Sequence, residues 1–270
     1  MKKTDWEFSI GLALLFSLVS IALTASWICP YQPSQVHWTV YPIAPSHQFL
    51  FGTDALGRDI FSRTLYGLRL SYFVAFIVAT SSIMIGTFMG LLSGYFEGKF
   101  DLFAVWIIDC FLAFPSLLLT IAICASLGPG LKTLFISLIA SSWATTARIV
   151  RSHVRNVRSN NFISTTRALG AGHIYIVIRH VLPHCTGILF IMYILSFGSA
   201  ILAETSLSFL GFGLNPPHPS LGRLIYDGAS YLRTAPWWPI LPGLFIAASI
   251  ISVNLLGDSL RKKFKLDFQL

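Results

Sequence analysis

Two carboxylates that lie inside long apolar stretches, Asp109 and Glu204, are the residues of this sequence most able to do chemistry. An ionisable side chain is costly to place in lipid, so such residues often belong to a proton or cation path. The alternative is a buried hydrogen bond to a neighbouring helix, and we favour this structural role. Either role requires long helices that hold the carboxylates within a membrane.

A second candidate is the pair His180 and His184, whose spacing would place both imidazoles on one helix face. Pro183 lies between them and no carboxylate is near in sequence, so two imidazoles do not complete a metal site. We therefore expect these histidines to cap a helix end, and we expect no metal site in the chain.

Motifs for catalysis are absent from the sequence. It contains no GxxxxGK[ST] phosphate loop, HExxH, GxSxG or EF-hand pattern, and its four cysteines form no CxxC pair. We expect that the chain is no enzyme and binds no cofactor of its own.

Composition indicates a polytopic membrane protein. Hydrophobic residues make up 54% of the chain and charged residues only 11%, with a mean hydropathy of +0.70. A soluble domain has about 25% charged residues and needs a polar shell. The net charge of +8 is explained better by cations on the cytoplasmic side of a membrane than by nucleic-acid binding.

Six apolar runs are long enough to cross a bilayer. They cover 8–29, 71–95, 102–124, about 133–149, 185–210 and about 240–256. Pro115 should kink the third run. The predicted fold is thus an all-α polytopic membrane protein with six transmembrane helices. Its parts are an N-terminal helix and outer segment (1–70), a membrane core (71–260) and a tail (261–270).

Small residues recur at every fourth position of the second run, at Ser82, Gly86, Gly90 and Gly94. This spacing places them on one helix face, where another helix can approach closely. The pattern predicts such packing either within the subunit or across a pore.

The distribution of Lys and Arg over alternating loops predicts orientation. The side that carries both termini holds most of these cations, so both termini are predicted to be cytoplasmic. The largest loop on that side is about 151–184. It begins with an arginine stripe on one helix face, which would contact either lipid headgroups or a partner: Arg148, Arg151, Arg155 and Arg158.

The rest of this loop, 161–183, is predicted to form two short helices, the first ended by Gly170 and the second by Pro183. Both are too apolar for a solvated loop. A short helix with an apolar face suits insertion into a groove on another protein.

The same stretch resembles the EAA loop of binding-protein-dependent ABC importer permeases. In that family Glu-Ala-Ala is followed by three residues, a glycine, nine residues and an apolar-Pro ending. Gly170 and Leu182-Pro183 hold the expected places here. Ser164-Thr165-Thr166 replaces Glu-Ala-Ala and lacks its acidic residue.

Other motifs extend the resemblance over almost the whole chain, to the C-type permease subunit of dipeptide, oligopeptide and nickel importers. Residues 51–67 resemble the family pattern GTDxxGRDxxSRxxYG. Further matching segments are Asp109, Phe114-Pro115, Gly128-Pro129-Gly130, 203–211, Pro216-Pro217, Ser220-Leu221-Gly222, 235–238, Pro242-Gly243 and 254–258. The chain is identified as a member of this family, which implies a MetI-like permease fold.

The resemblance implies partners. A B-type permease would supply the other half of a heterodimeric pore in the bacterial cytoplasmic membrane. Two cytosolic ATPase subunits would bind ATP and Mg, and an extracytoplasmic binding protein would deliver the substrate. It also implies the residues that couple to the ATPase: Ser164, Thr165, Thr166, Arg167, Ala168, Leu169, Gly170, Ala171 and Pro183.

Short peptides are the expected substrate, because no His/Cys/Met cluster on the outer side favours a metal. Nickel or another small solute remains the alternative within this class. A different class is an ion-coupled secondary transporter that uses Asp109 and Glu204 as ion sites.

Two segments are predicted to be amphipathic helices at the outer interface, one within 30–70 and one before Trp237 and Trp238. These segments would either cover the mouth of the pore or contact a binding protein. In the second case, charged rim residues should tune the transient docking of that protein. We assign this role to Arg58 and Arg63.

Overall fold

The computed structural model describes residues 2–37, 42–214 and 218–264. Those residues form α-helices, one π-helical turn and connecting turns, and the β pairing among them is an isolated bridge between Thr53 and Asp59. The Pro216-Pro217 motif and most of the predicted tail lie outside the described residues.

The helices are, in chain order, α1 (Lys2–Ile28), α2 (Ile60–Tyr95), α3 (Lys99–Leu112), α4 (Ser116–Leu127), α5 (Leu131–Arg158), α6 (Asn161–Ala168), α7 (His173–Ile176), the π turn (Val177–Val181), α8 (Leu182–Phe209), α9 (Leu221–Ala229) and α10 (Trp237–Phe264). Five of them are long and apolar enough to cross a membrane. The pair α3 and α4 makes a sixth span if it is counted as one.

The predicted kink at Pro115 is a complete break. Helix α3 ends at Leu112, α4 begins at Ser116, and the two axes differ by 83°. Proline has no N–H to donate and its ring clashes with the preceding turn, so the helix stops before it. The third predicted span, 102–124, is therefore bent more sharply than a kink, and it is one span if α3 and α4 are counted together.

The outer segment differs from the predicted amphipathic helix. Residues 42–59 form turns, and 60–70 are the first turns of α2. The Asp59 carboxylate starts this helix by accepting a hydrogen bond from the Ser62 N–H at 2.8 Å. This is ordinary N-cap chemistry, which fixes where a helix begins.

Helices α2 and α5 form the centre of the bundle, and glycines allow their close approach. A Cβ added at Gly86 would lie 2.5 Å from Thr146, one at Gly90 would lie 2.7 Å from Val150, and one at Gly94 would lie 2.8 Å from Val154. The four-residue spacing predicts such a contact, and α5 of the same chain makes it.

Helix α1 lies at the edge of the bundle and packs along α10. Gly11 faces Leu255 and the Ser252 carbonyl, and the Lys262 ammonium lies 2.7 Å from the Glu7 carboxylate. The start of α1 and the end of α10 are therefore at the same end of the bundle.

Candidate coupling segment, ion pairs and outer surface

The segment 161–181, which we call the α6–α7 segment, is anchored to the bundle by apolar side chains. Ile163, Ile176 and Val181 are buried in one cluster at the ends of α2, α5 and α8. A hydrogen bond of 3.0 Å joins the Tyr95 hydroxyl to Nδ1 of His173. These contacts fix one face of the segment to the transmembrane helices.

The same segment presents a second apolar surface outward. Leu169 is 83% exposed, Ile174 75% and Ile178 60%, and Tyr175 is also exposed. Large apolar side chains grouped at this level of exposure are typical of surfaces that bind another protein.

Gly170 sets the angle between α6 and α7. Its φ is +85°, a left-handed conformation that suits glycine. The Gly170 N–H donates to the Arg167 carbonyl at 3.0 Å, and the Ala171 N–H donates to the Thr166 carbonyl at 3.3 Å. This pair of bonds is the Schellman ending of a helix. The sequence prediction that Gly170 ends the first short helix agrees with this geometry.

The residues that replace Glu-Ala-Ala use their hydroxyls within α6. Ser164 and Thr165 donate to the Asn161 carbonyl at 2.7 and 2.9 Å, and Thr166 donates to the Phe162 carbonyl at 2.7 Å. Ala168 is the last residue of α6, and the Arg167 guanidinium lies 3.4 Å from Nδ1 of His173. The coupling role of these residues stays a prediction.

Pro183 does not end a helix, which corrects the sequence prediction. It lies in the first turn of α8, and the π turn joins α7 to α8 without a break. In the π turn the Leu182 N–H donates to the Val177 carbonyl, five residues back. Pro183 has no N–H to donate, so an ordinary helical hydrogen bond is lost at this position. The wider π register just before it keeps the helix continuous.

The two histidines predicted to cap a helix end are therefore inside continuous helix. Nδ1 of His184 lies 2.6 Å from the His180 carbonyl oxygen. Within the part of the chain that the structure describes, no group of three or more potential metal ligands occurs.

Three of the four arginines in the α5 stripe pair with acidic side chains of α3 and the turn before it. Arg151 makes two hydrogen bonds to Asp101, at 2.6 and 2.8 Å, and Arg158 lies 2.7 Å from Glu97. Arg148 pairs with Asp109. Lipid headgroups or a partner are the contacts that the sequence predicts for this stripe, whereas these intramolecular ion pairs, which hold α3 against α5, are not predicted by it.

Of the two carboxylates inside apolar runs, Glu204 is buried and Asp109 is exposed. Glu204 accepts hydrogen bonds from the Ser71 hydroxyl at 2.6 Å and the Ser208 hydroxyl at 2.7 Å. It thus joins α2 to α8. Asp109 and its partner Arg148 are both more than half exposed. Glu204 therefore makes the buried hydrogen bonds that the favoured interpretation expects. Asp109 differs from that interpretation, because its ion pair is exposed.

Asp54 organises the outer segment. This buried carboxylate accepts from the backbone N–H groups of Leu56 and Arg58 at 2.9 and 3.0 Å, and from Nε of Arg58 at 2.7 Å. Nη1 of Arg63 lies 3.4 Å away. The pattern in 51–67 therefore builds a local fold around one buried carboxylate.

The interpretation of Arg63 as an exposed rim charge is wrong, because the residue is only 4% exposed. Arg58 borders an outer hollow of 620 Å³ together with Arg223, Tyr226 and Trp238. The docking of a binding protein stays a prediction for both arginines, and only Arg58 lies at a surface where a partner can reach it.

Arg63→Gln is expected to destabilise the protein by roughly 3 kcal/mol, because it removes one cation from a buried carboxylate. The measurement is thermal unfolding of the purified complex, with the exposed Arg69 changed to Gln as the matched control. Equal unfolding midpoints for Arg63→Gln and wild type would contradict a structural role for this ion pair.

The second predicted outer helix corresponds to α9, which is more buried than an interfacial helix. The Leu221 and Leu224 side chains are fully buried, and Trp238 is buried as well. Gly222 packs against the Thr205 carbonyl of α8. Helix α9 therefore closes the end of the bundle at which α2 begins, since Gly67 of α2 lies against Leu221.

The family described as "Binding-protein-dependent transport system inner membrane component" matches residues 82–266. A putative peptide transport system permease protein of Brucella suis is 37% identical over 94% of this chain and 86% of its own length. The dipeptide transport system permease protein DppC of Haemophilus influenzae is 33% identical over 93% of this chain and 88% of its own length.

A third relative is the di/tripeptide transport system permease protein DppC of Pseudomonas aeruginosa, 37% identical over 93% of this chain and 85% of its own length. Among solved structures, an inward-facing MetNI methionine ABC transporter matches with a TM-score of 0.62. That match covers 73% of this chain and 94% of the other at 17% identity, so it shows the likeness of the fold alone.

Proposed function

Since the chain belongs to the family of inner-membrane components of binding-protein-dependent transport systems, we propose that it forms half of a peptide-conducting pore with a related B-type permease. The chain is a multi-pass permease subunit of an ABC importer with a MetI-like fold. In this proposal two cytosolic ATPase subunits bind ATP and Mg, and an extracytoplasmic binding protein delivers the substrate.

The substrate class we infer is short peptides. The names of the relatives support it, since they are described as peptide, dipeptide and di/tripeptide permeases and match over most of their length. Nickel import is the alternative within the same class. The relatives favour an ABC importer over an ion-coupled secondary transporter.

The observation that carries the coupling mechanism is the two-sided construction of the α6–α7 segment. One face is fixed in the bundle through Ile163, Ile176 and Val181, and the other exposes Leu169, Ile174 and Ile178. We infer that the exposed face lies in a groove of an ATPase subunit. Closure of that subunit would then move α5 and α8 through the buried face.

The proposed orientation places the α6–α7 segment and both termini in the cytoplasm. The excess of Lys and Arg in the loops on that side supports the cytoplasmic placement. Two contacts indicate that these parts share one end of the bundle: α10 ends beside the start of α1, and Arg261 lines a cavity together with Thr145 and Ile149 of α5. The ends of α5 and α10 therefore point the same way. The outer segment and α9 face the opposite side, where a binding protein would dock.

The test is uptake by proteoliposomes that contain this chain, its partner permease, the ATPase subunits and the binding protein. We expect uptake of a labelled dipeptide that unlabelled di- and tripeptides inhibit and that nickel does not. Nickel uptake that peptides do not inhibit would contradict the peptide assignment and would leave the importer class intact.

A further inference from the structure

Two adjoining cavities lie between the helices: α2, α4, α5 and α8 line the first, and α5, α8 and α10 line the second. The first has a volume of about 240 Å³ and the second about 260 Å³. They share the lining residues Thr145, Met192, Ser196 and Ser199, so they adjoin each other, and we call the two cavities together the hydroxyl path. The path extends from Ser116 towards Arg261.

Hydroxyl groups dominate the lining of the first cavity. They belong to Ser82, Ser116, Ser141, Ser142, Thr145, Thr146, Ser196 and Ser199. None of the described residues that line this cavity carries a charge, and Arg261 is the charged one among those that line the second. So many hydroxyls between helices that are otherwise apolar provide a polar surface without a fixed charge.

Four of these eight hydroxyls, those of Ser82, Ser141, Ser142 and Ser199, already have a partner in the protein. The Ser142 hydroxyl lies 2.5 Å from that of Ser82, Ser141 donates to the Leu138 carbonyl at 3.1 Å, and Ser199 donates to the Ser196 carbonyl at 3.0 Å. Across the described residues, the hydroxyls of Ser116, Thr145, Thr146 and Ser196 are without a hydrogen-bond partner, and among these four Thr145 and Ser196 line both cavities. Both face the shared part of the path.

We propose that Thr145 and Ser196 hydrogen-bond the backbone amide groups of the peptide during its passage through this path. The inference rests on the proposed function, namely that the chain conducts short peptides. A hydroxyl both donates and accepts a hydrogen bond, so it pairs with an N–H or a C=O group. Every peptide carries these groups whatever its side chains are.

The lack of fixed charge in the first cavity sets the expected selectivity. A buried charge would favour peptides of opposite sign and repel those of like sign. The hydroxyl path therefore does not discriminate among peptides by the charge of their side chains. The hydroxyls take the place of the water molecules that hydrogen-bonded the backbone amides of the peptide in solution. Amide groups left without a partner would raise the free-energy barrier to passage.

The test compares the double variant Thr145→Val, Ser196→Ala with wild type in the complete reconstituted complex. Uptake is measured with saturating binding protein for three tripeptides that carry a neutral, an acidic or a basic side chain. We expect the double variant to lose about tenfold in rate for all three, because two hydrogen bonds are lost in each case. Thr145→Ser, Ser196→Thr, which keeps both hydroxyls, should restore the rate to within about twofold.

Matched controls are Thr186→Val and Ser126→Ala, two exposed hydroxyl residues that lie outside both cavities. They should transport at the wild-type rate. Wild-type uptake by the double variant, or loss confined to one charge class, would overturn the inference. If the wild-type complex imports none of the peptides, the proposed function fails instead, and the inference fails with it.

A second variant gives a readout that a purely structural defect would not produce. Thr145→Asp places a negative charge in the path, so it should lower uptake of the acidic peptide at least fivefold more than uptake of the basic one. An unchanged ratio between the two peptides would overturn the placement of Thr145 on the path.

Discussion

Replacing Gly90 by leucine is expected to prevent assembly of the importer. A Cβ at this position would lie 2.7 Å from Val150 and 2.8 Å from the Ala147 carbonyl oxygen, and a backbone carbonyl of α5 has little room to move. Overpacking a close contact costs about 1–3 kcal/mol, and leucine adds three carbons beyond that Cβ. The measurement is the yield of intact complex after membrane extraction and size-exclusion chromatography, which should fall at least about tenfold.

Gly243→Leu is the matched control for this experiment. Gly243 also lies in a transmembrane helix, but a Cβ there would meet nothing within 4 Å. We expect normal yield of this variant. Normal yield and activity of Gly90→Leu would show that α2 and α5 do not pack through their glycine face in the assembled complex.

Replacing Gly170 by valine is expected to abolish coupling between ATP hydrolysis and transport. Valine adopts a φ near +85° only at a cost of about 1–3 kcal/mol, so the turn between α6 and α7 should rearrange. A Cβ at Gly170 would meet nothing within 4 Å, so the effect should come from the backbone alone. The measurements are peptide uptake and co-purification of the ATPase subunits, and both should fall at least about tenfold.

Two control variants separate backbone strain from added bulk. Gly172 is just as open, but its φ is −72°, so Gly172→Val should be tolerated. Gly170→Asn should keep much of the activity, because asparagine adopts the left-handed conformation readily. Normal uptake and ATPase binding by Gly170→Val would contradict the coupling role of the α6–α7 segment.

Much of the fold follows from local rules that the sequence displays. Long apolar runs identify the spans, and the spacing of Gly86, Gly90 and Gly94 identifies a close helix contact. The ending of α6 at Gly170 follows from the same kind of rule, since one residue type fits the backbone conformation required there. Such features depend on residues that are near each other in the chain.

Features that depend on distant residues were not predictable in this way. The arginines of α5 find their acids on α3, more than 35 positions earlier in the chain. The burial of Arg63 depends on how Asp54 folds back beside α2. The prediction that Pro183 ends a helix is wrong for a local reason. Proline ordinarily marks a helix boundary, but here a π turn keeps the helix continuous.

The α6–α7 segment also combines features that the sequence predicts with features that it does not. Its two short helices and its amphipathic character are visible in the sequence, yet the choice of which apolar residues face inward is not. Ile176 is fully buried whereas Ile174 and Ile178 are exposed, and this pattern depends on packing against Val154 and Ile188.

The most direct test of the central claim, that this chain belongs to an ATP-driven importer, is to measure which energy source drives uptake. Proteoliposomes with the complete complex are supplied with binding protein and a labelled dipeptide, and uptake is compared with ATP, with a non-hydrolysable ATP analogue, and with an ion gradient alone. The account predicts uptake only with hydrolysable ATP, undiminished when ionophores remove all gradients. Uptake driven by an ion gradient without ATP would contradict it.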